Sequence, residues 1–371
     1  MKRTFKWPQV SAFRLTRHHF LDHNRTELVT VCQDVCGIQA QVMSAAEMAL
    51  WARMHKLTRA DIHSALWKSR NLVKTYCMRG TLHLLPSADF SVYINALKKS
   101  RMEAVQRTMS KFVITLRETD KMNIAIMDAL NAGPMTKREL TKQISPVVGK
   151  RLRTWMSHVW NIFRPAIVEG LICYGPDRGK EPTFVRTDKW LPKQKEIREE
   201  EAKQILHRRY MKAYGTATLR DFSKWTGMST KEARPVWESL QDELVEVYIE
   251  DENGFILQED YDELRNSHVD GHILRLLPYF DPYMLAHADK NHLVHSHHYK
   301  KVYRNQGWIS PVILLNGRVI GIWFYTRQGK RSSLQIEPFQ KFSKTIHTYI
   351  EEEAASLGRF LEASWEVKFR R

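Results

Sequence analysis

The sequence predicts an α+β protein with three tandem winged helix-turn-helix motifs followed by a small C-terminal β-barrel-like domain. A pattern of helices, a turn and two strand-like runs recurs three times before residue 269. From about Gly271 apolar strand-like runs predominate, and a helix at 338–358 ends this part. We therefore predict winged helices at 1–115, 116–195 and 196–268, and a β domain with a terminal helix at 269–371.

Start and stop signals mark the helices of the first unit. Gly37 is a natural C-terminal stop for the apolar helical run before it. Ser44 and Glu47 have the S-x-x-E spacing of a capping box, so the next helix should start there. Thr58 and Asp61 repeat this signal in weaker form ahead of a third helix.

Paired strands close each unit and predict its wing. In the first unit two apolar, partly alternating runs meet at Arg79-Gly80. In the second unit a polar turn at 176–182 separates two strand-like runs. In the third unit Asn253-Gly254 has the composition of a tight hairpin turn.

Two prolines fall inside helical patterns of the later units. Pro165 should bend or break the third helical run of the second unit. In the third unit Ser229 and Glu232 form another capping box. Pro235 lies deep in the helix that they start, so we expect a kink there.

The chain carries a large excess of positive charge. Its 371 residues include 58 Lys and Arg against 41 Asp and Glu, a net charge of +17. This excess is spread along the chain, which favours a polyanionic partner such as nucleic acid, although a ribosome-associated or merely basic protein would share it. Winged helices in a basic protein usually bind duplex DNA, but some act as protein–protein modules.

Several functional classes find no support in the sequence. Four cysteines form no C-x-x-C pair and are expected to be buried thiols. There is no signal-peptide-like start and no apolar run of about 18 residues, so we expect a reduced, cytoplasmic protein without a membrane partner. Walker, G-x-G-x-x-G, G-x-S-x-G and H-E-x-x-H motifs are absent, which argues against nucleotide-driven or standard hydrolase chemistry.

Gln39 and Gln41 are the most informative polar pair. They lie between the Gly37 stop and the Ser44 cap, so the segment should be extended and both side chains should point the same way. Two parallel amides can hold one water or polar group, which suits positioning and not proton abstraction. The alternative is that they satisfy backbone groups of an irregular loop. Glu47, as a cap partner, is a weaker candidate for a general base.

Other polar residues are candidates for contacts with a substrate. Arg79, Thr81 and His83 alternate along one predicted strand and share a face. That face could contact phosphate or substrate, or it could be an ordinary solvated surface. Asp281, in an F-D-P-Y turn, either caps the turn or reaches into a site.

A histidine-rich run follows this turn. Its spacing could chelate a metal, but no cysteine or ordered His/Asp/Glu triad accompanies it, and a phosphate-facing surface explains it equally well. We expect no metal and no cofactor. The run contains His287, His292, His295, His297 and His298.

Several stretches together resemble the AlkZ/YcaQ family of bacterial DNA glycosylases, winged-helix proteins that remove alkylated bases. They are GIQAQVMSAAEMALWARM, MRGTLHLLP, YGTATLRDFSKWTGMSTKEAR and LLPYFDPYMLAHADK with GWISPVILLNGRVIGIW. The likeness spans almost the whole chain in the right order, and it implies three winged helices and a small β-barrel around a DNA channel. Gln39-Ala40-Gln41 is similar to the family's Q-x-Q branch, associated with unhooking bulky crosslinks, and differs from its Q-x-D branch.

The resemblance implies a monofunctional glycosylase that hydrolyses the N-glycosidic bond of cationic alkylated purines and unhooks interstrand crosslinks. Gln39 and Gln41 would hold the nucleophilic water. The implied partner is double-stranded DNA carrying alkylated or crosslinked bases, bound by a monomer. The Asn316-Gly317 hairpin is a candidate wedge for a DNA groove. The residues expected at the DNA are Arg79, Thr81, His83, Asp281, His287, Asn316 and Arg318.

Neutral glutamines suit this chemistry because a purine alkylated on a ring nitrogen is cationic and already a good leaving group.

Two alternative functions remain open. A non-enzymatic winged-helix regulator would favour one operator sequence over random duplex. A bifunctional lyase would need an amine nucleophile, for which Lys74 lies close in sequence.

Overall fold

The computed structural model describes residues 3–21, 27–158, 162–328 and 331–370, which form a mixed α+β fold. Helices and strands are numbered in chain order. The first unit contains β1 (Thr4–Phe5), α1 (Trp7–Arg17), α2 (Leu28–Asp34), β2 (Ile38–Gln39), α3 (Met43–Trp51), α4 (Arg59–Trp67), β3 (Leu72–Tyr76), β4 (Leu82–Pro86) and α5 (Phe90–Ser110). The second contains α6 (Leu116–Ala129), β5 (Met135–Thr136), α7 (Lys137–Ile144), α8 (Lys150–His158), α9 (Arg164–Val168), β6 (Ile172–Arg178), β7 (Glu181–Arg186) and α10 (Thr187–Trp190).

The later units continue this numbering. The third contains α11 (Glu199–Tyr214), α12 (Leu219–Thr226), α13 (Thr230–Glu238), β8 (Leu244–Ile249), β9 (Glu252–Leu257) and α14 (Tyr261–Asn266). The C-terminal part contains β10 (Leu274–Leu277), α15 (Pro282–Leu285), α16 (Tyr299–Val302), β11 (Val312–Leu315), β12 (Arg318–Gln328), β13 (Arg331–Pro338), α17 (Lys344–Leu361) and β14 (Glu366–Phe369).

The sheets join parts of the chain that are distant in sequence. A six-stranded sheet has the order β2-β4-β3-β6-β7-β5, so the wings of the first two units share one sheet, joined where Lys74 pairs with Tyr174. A three-stranded sheet has the order β1-β8-β9, with β1 parallel to β8. Because strands of different units pair, the division into three winged helices with the boundaries given above stays a prediction.

Several local signals are confirmed. Gly37 follows α2 with a φ of 91°, the left-handed conformation that a helix stop needs. The capping boxes at Thr58 and Asp61 and at Ser229 and Glu232 form as predicted, at the starts of α4 and α13. In each box the hydroxyl accepts from the third backbone N–H while the carboxylate accepts from the cap N–H.

The predicted capping box at Ser44 and Glu47 is wrong. The N-cap of helix α3 is Val42, two residues before Ser44, so the helix begins at Met43 and has no side-chain cap. The Glu47 carboxylate instead accepts from Arg59 Nε at 2.8 Å. The carboxylate that the predicted box required is therefore directed to Arg59 and not to the backbone of Ser44.

The predicted turn at Asn253-Gly254 is also wrong. Glu250 and Asp251 form the turn between β8 and β9, and the residues that flank them pair directly. Asn253 and Gly254 lie within β9, where the strand passes close to Ala217. A Cβ on Gly254 would lie 3.6 Å from the backbone nitrogen of Ala217. Gly254 therefore lies inside a strand and not at a turn, and the 3.6 Å separation is an ordinary van der Waals contact.

Pro165 starts a new helix. It lies in the first turn of α9, where its missing N–H costs no hydrogen bond. The preceding residues 159–161 lie outside the described residues. Pro235 lies inside α13, which continues to Glu238. The kink expected there stays a prediction.

The C-terminal sheet is open. Its order is β10-β11-β12-β13-β14, and β10 and β14 form its two edges, so the predicted barrel-like closure is wrong for the described strands. Ile350, Ala354 and Leu357 of α17 are buried in the same core as β10 and β11. Because this helix covers the apolar face, the sheet has no need to close on itself. The helix spans Lys344–Leu361 and not the predicted 338–358.

The structure also bears on the cysteines and on membrane contact. All four cysteines are buried and free of disulfides, as predicted. Across the parts of the chain that are described, no helix combines the length and the apolar character needed to cross a bilayer.

Candidate active site

Gln39 and Gln41 line one cavity of about 830 Å³. Strand β2 pairs with β4 so that Gln39 lies opposite His83, with 6% of Gln39 exposed. Gln41 follows the strand and is exposed, and its Oε1 accepts from the Leu82 N–H at 3.5 Å. Between them the Ala40 N–H donates to the Leu82 carbonyl at 2.7 Å, which holds the segment against β4. One glutamine is therefore held in the wall and the other lies at its surface.

Arg79 fixes the orientation of the Gln39 amide. Its Nη2 donates to Gln39 Oε1 at 2.9 Å, and its Nη1 donates to the Trp225 carbonyl at 2.7 Å. A guanidinium has no acceptor, so the amide oxygen must face it and the amide N–H groups face elsewhere. Burial lowers the pKa of Arg79 to about 10, which leaves it charged at neutral pH. Arg79 is thus a charged support for a neutral amide.

His83 is a neutral support behind Arg79. Its Nδ1 donates to the Thr81 carbonyl at 3.0 Å, so its Nε2 is the acceptor that faces Arg79 Nη2 at 3.4 Å. Burial, followed by the Arg79 charge, lowers the pKa of His83 to about 3. Such an imidazole is no general acid at neutral pH. Thr81 lines the cavity, and its hydroxyl donates to the Met78 carbonyl at 3.1 Å.

The turn that carries Arg79 has an unusual backbone. Arg79 has a φ of 54°, in the left-handed region that few non-glycine residues adopt. Gly227, which ends α12 with a φ of 75°, packs directly on it, and a Cβ there would lie 3.0 Å from Arg79 Cα. The end of α12 therefore holds this turn in position, and it also supplies the Trp225 carbonyl that Arg79 binds.

Cations and aromatic rings form much of the remaining wall, and none of the described lining residues is a carboxylate. Lys290 is the most buried of these cations. Its Nζ donates to the Met284 carbonyl at 3.0 Å and lies 5.3 Å from the centre of the Tyr303 ring. Burial first and the nearby Arg79 charge second lower the pKa of Lys290 to about 7. The other lysine and arginine of the wall are Lys224 and Arg304.

Sequence reasoning missed these cations and the aromatic residues beside them. Lys224 comes from the third unit, and Lys290, Arg304 and Trp308 come from the C-terminal part. They belong to no motif, and only long-range packing brings them to Gln39. The signal that pointed toward them was the resemblance to the family, because its stretches contain Lys224, Lys290 and Trp308.

His287 lines the cavity as a neutral group. It is 5% exposed, and its Nε2 donates to the Tyr214 carbonyl at 3.0 Å. Burial and the Arg14 charge lower its pKa well below the ordinary histidine value. His292 is also buried, and its ring stacks on Trp7 with 4.7 Å between the ring centres.

The histidine-rich run is not arranged as a metal site. Considering residues 3–21, 27–158, 162–328 and 331–370 only, no three His, Cys, Asp or Glu side chains converge in a way that could hold an ion. His287 and His292 face the interior, whereas His295 and His297 are exposed.

Asp281 lies away from the cavity, which corrects its predicted place at the DNA. Its carboxylate accepts from both terminal nitrogens of Arg53 at 2.7 Å, and both side chains are fully buried. It also accepts from the Tyr283 N–H at 3.0 Å and so caps α15. Of the two roles predicted for Asp281, capping is therefore the one that the structure contains.

The Asn316-Gly317 hairpin forms as predicted, but its tip is not free to enter a groove. Asn316 has a φ of 47°, and its Oδ1 accepts from the Ile273 N–H at 2.7 Å. Gly317 is buried, and a Cβ on it would lie 2.7 Å from the Ser11 side chain. Arg318 is exposed beside this turn, and it does not line the cavity of the two glutamines.

Lys74, the lysine considered for a lyase, also lies outside this cavity. It is 9% exposed, and its Nζ lies 5.6 Å from the centre of the Tyr174 ring. Burial lowers its pKa, so the side chain is desolvated although the sequence carries no sign of it. The amines that line the cavity are those of Lys224 and Lys290.

The arrangement can position a neutral nucleophile beside a polyanion. Two amides offer donors and acceptors to a water molecule, and the adjoining imidazoles of His83 and His287 stay neutral at physiological pH. The surrounding cations can contact phosphate oxygens, and the aromatic rings can contact bases. The fold and the cavity are therefore suited to a protein that binds nucleic acid and positions a neutral nucleophile.

Comparisons with known proteins assign the family. The model of a family described as DNA glycosylase AlkZ-like matches residues 32–360. An interstrand DNA cross-link repair glycosylase of Streptomyces sahachiroi is 30% identical over 364 residues, which cover 95% of this chain and 96% of that protein. The solved structure of the Streptomyces sahachiroi DNA glycosylase AlkZ matches with a TM-score of 0.87 at 27% identity, covering 100% of both chains. The chain belongs to the AlkZ-like family of DNA glycosylases, enzymes that act on N-glycosyl bonds.

Proposed function

We propose that this enzyme hydrolyses the N-glycosidic bond of cationic alkylated purines in double-stranded DNA and unhooks interstrand crosslinks made by such purines. The observation that carries the proposal is the neutral amide of Gln39, held by Arg79 in a basic cavity. Neutral amides suit a base that leaves without protonation. We further propose that the enzyme works as a monomer in the cytoplasm.

The proposed reaction does not require the protein to protonate the leaving base. A purine alkylated at N7 is positively charged, so the bond between C1′ and N9 can break with the electron pair going to the base. Water held between Gln39 and Gln41 then adds to the oxocarbenium-like C1′ and releases its proton to solvent. The glutamines contribute position and dipoles aimed at the developing charge.

The assignment of crosslinks has separate support. The relative that matches over 95% of this chain is named for interstrand crosslink repair. The cavity of about 830 Å³ has an exposed rim that includes Gln41 and Trp308. A base still tethered to the opposite strand could not enter a closed pocket, but it could lie in an open one.

The test compares two site variants with a matched control. Gln39→Ala and Gln41→Ala should keep the affinity for DNA and lose excision of N7-methylguanine and unhooking of a nitrogen-mustard crosslink. Gln33→Ala changes an exposed glutamine of α2 outside the cavity and should excise normally. Single-turnover release of abasic sites is the measurement. Wild-type rates in both site variants would refute the assignment of the glutamines.

Experiments on the same protein also distinguish the two alternative functions, a transcriptional regulator and a bifunctional lyase. A regulator would bind one operator far more tightly than random duplex and would be indifferent to the loss of Gln39. A lyase would leave a borohydride-trapped adduct with abasic DNA. The monofunctional reaction predicts no adduct with either lysine of the cavity, Lys224 or Lys290. An adduct that disappears in Lys290→Met would overturn the monofunctional assignment.

A further inference from the structure

Two exposed aromatic side chains lie at the rim of the active-site cavity. Tyr299 is 42% exposed and Trp308 is 43% exposed. Among the described residues, no other Phe, Tyr or Trp side chain is exposed to a similar degree. Leaving a large apolar ring in water forgoes the free energy of its burial, so the clustering of both rings at one cavity calls for a ligand.

Trp308 is held firmly in this exposed position. Its ring centre lies 5.1 Å from that of Phe280 and 5.7 Å from that of Tyr279, which support the indole. The backbone N–H of Arg304 donates to the Trp308 carbonyl at 2.7 Å, and Tyr303 pairs with Ile309 across the same loop. The indole is therefore fixed in place before any ligand arrives, which reduces the entropy lost on binding.

A second cavity of about 900 Å³ adjoins the active site at this point. Besides Tyr279 and Asn305 it contains Lys300, and no carboxylate is among its described lining residues. It shares its remaining wall with the cavity of the two glutamines. The shared residues are Tyr299, Tyr303, Arg304, Gln306 and Trp308.

We infer that this second cavity binds an unpaired nucleotide of the DNA, with its base stacked on Trp308 and its phosphate against Arg304 and Lys300. The inference deepens the proposed function and rests on it. Rings combined with cations are what proteins use to hold unstacked nucleotides. The aromatic part of a bulky adduct carries no negative charge, so it would contact the Trp308 ring but not the cations. The presence of Arg304 and Lys300 in the cavity therefore favours a nucleotide as the ligand.

The test uses DNA that cannot be excised, so that its outcome is independent of catalysis. The full-length protein is bound to a duplex in which 2-aminopurine faces a tetrahydrofuran abasic analogue. Binding should quench the 2-aminopurine fluorescence, because the base stacks on the indole. Trp308→Ala should abolish this quenching and weaken binding roughly tenfold, while Trp308→Phe should retain most of the affinity. Leu116→Ala, which removes an exposed side chain outside both cavities, should bind normally.

Each other outcome overturns the inference. Equal loss of affinity by Trp308→Ala for the abasic-analogue duplex and for a fully paired duplex would exclude a contact specific to an unpaired base. An effect confined to DNA with a bulky aromatic adduct would assign the cavity to the adduct. Arg304→Gln should also lower the slope of log Kd against log salt by about 0.9, the value for one lost phosphate contact. An unchanged slope would show that Arg304 makes no contact with a phosphate.

Discussion

Replacing Arg79 by lysine should slow base excision much more than it weakens DNA binding. Lysine keeps the positive charge of the cavity, but one ammonium cannot replace the fork that joins Gln39 Oε1 to the Trp225 carbonyl. Hydrogen bonds to charged groups contribute about 1.5 to 3 kcal/mol, so loss of the bond to Gln39 should cost roughly 10- to 150-fold in the excision step. Arg79 acts through Gln39, so it is a positioning residue.

The assay for Arg79→Lys separates excision from binding. Single-turnover excision of N7-methylguanine at saturating enzyme gives the rate of the bound state, and anisotropy with undamaged duplex gives the affinity. Arg359→Lys is the matched control, because Arg359 is exposed on α17 and lies outside the cavity. A wild-type single-turnover rate in Arg79→Lys would refute the reasoning. So would a loss of affinity as large as the loss of rate.

Two further predictions concern stability. Arg53→Met should lower the free energy of unfolding by about 3 to 5 kcal/mol in urea denaturation, because the buried Asp281 carboxylate loses its partner. A double variant that adds Asp281→Asn should recover part of this free energy. A double variant no more stable than Arg53→Met would refute the explanation. The folded pKa of His83, about 3, lies below its ordinary 6.5, so the unfolded chain takes up this proton first and stability is lost as the pH falls from 6.5 toward 3. Between about pH 7.5 and about pH 5, protonation of His83 in the unfolded chain should lower the free energy of unfolding of the wild type by about 2 kcal/mol. The free energy of unfolding of His83→Gln should fall by about 2 kcal/mol less over the same interval. Identical pH dependence in the two proteins would contradict the assignment of a neutral His83.

Local chemistry explains which parts of the fold were predictable. Gly37 and the pair Ser229 and Glu232 mark helix ends because their conformations depend on a few neighbouring backbone groups. Asn316-Gly317 forms its hairpin for the same reason, but nothing local shows that its tip packs on Ser11. Ser44 failed as a cap because its signal competed with another partner for the same carboxylate.

The candidate site was predictable only where it is continuous in sequence. Gln39 lies in β2 as the extended segment predicted, whereas Gln41 lies beyond the end of this strand. The resemblance supplied the proposed role of the pair. Lys290 and Trp308 come from more than 200 residues away, and packing alone brings them to the same cavity. The pairing of β1 with β8 is of the same kind. Such contacts depend on how whole elements pack, which residue spacing does not encode.

The positive charge of the cavity sets a condition on the proposed reaction. Positive charge develops at C1′ as the base leaves, and the guanidinium of Arg79 and the ammonium of Lys224 would raise the energy of that state if they were left uncompensated. The phosphates of bound DNA supply the compensation, because each one brings a negative charge next to the cations. With a pKa of about 7, Lys290 can also lose its proton where no anion is near and keep it where a phosphate binds. The cavity is therefore suited to an oxocarbenium-like sugar only when DNA occupies it. In this arrangement the substrate's own backbone provides the negative charge that a glycosylase with an active-site carboxylate would carry itself.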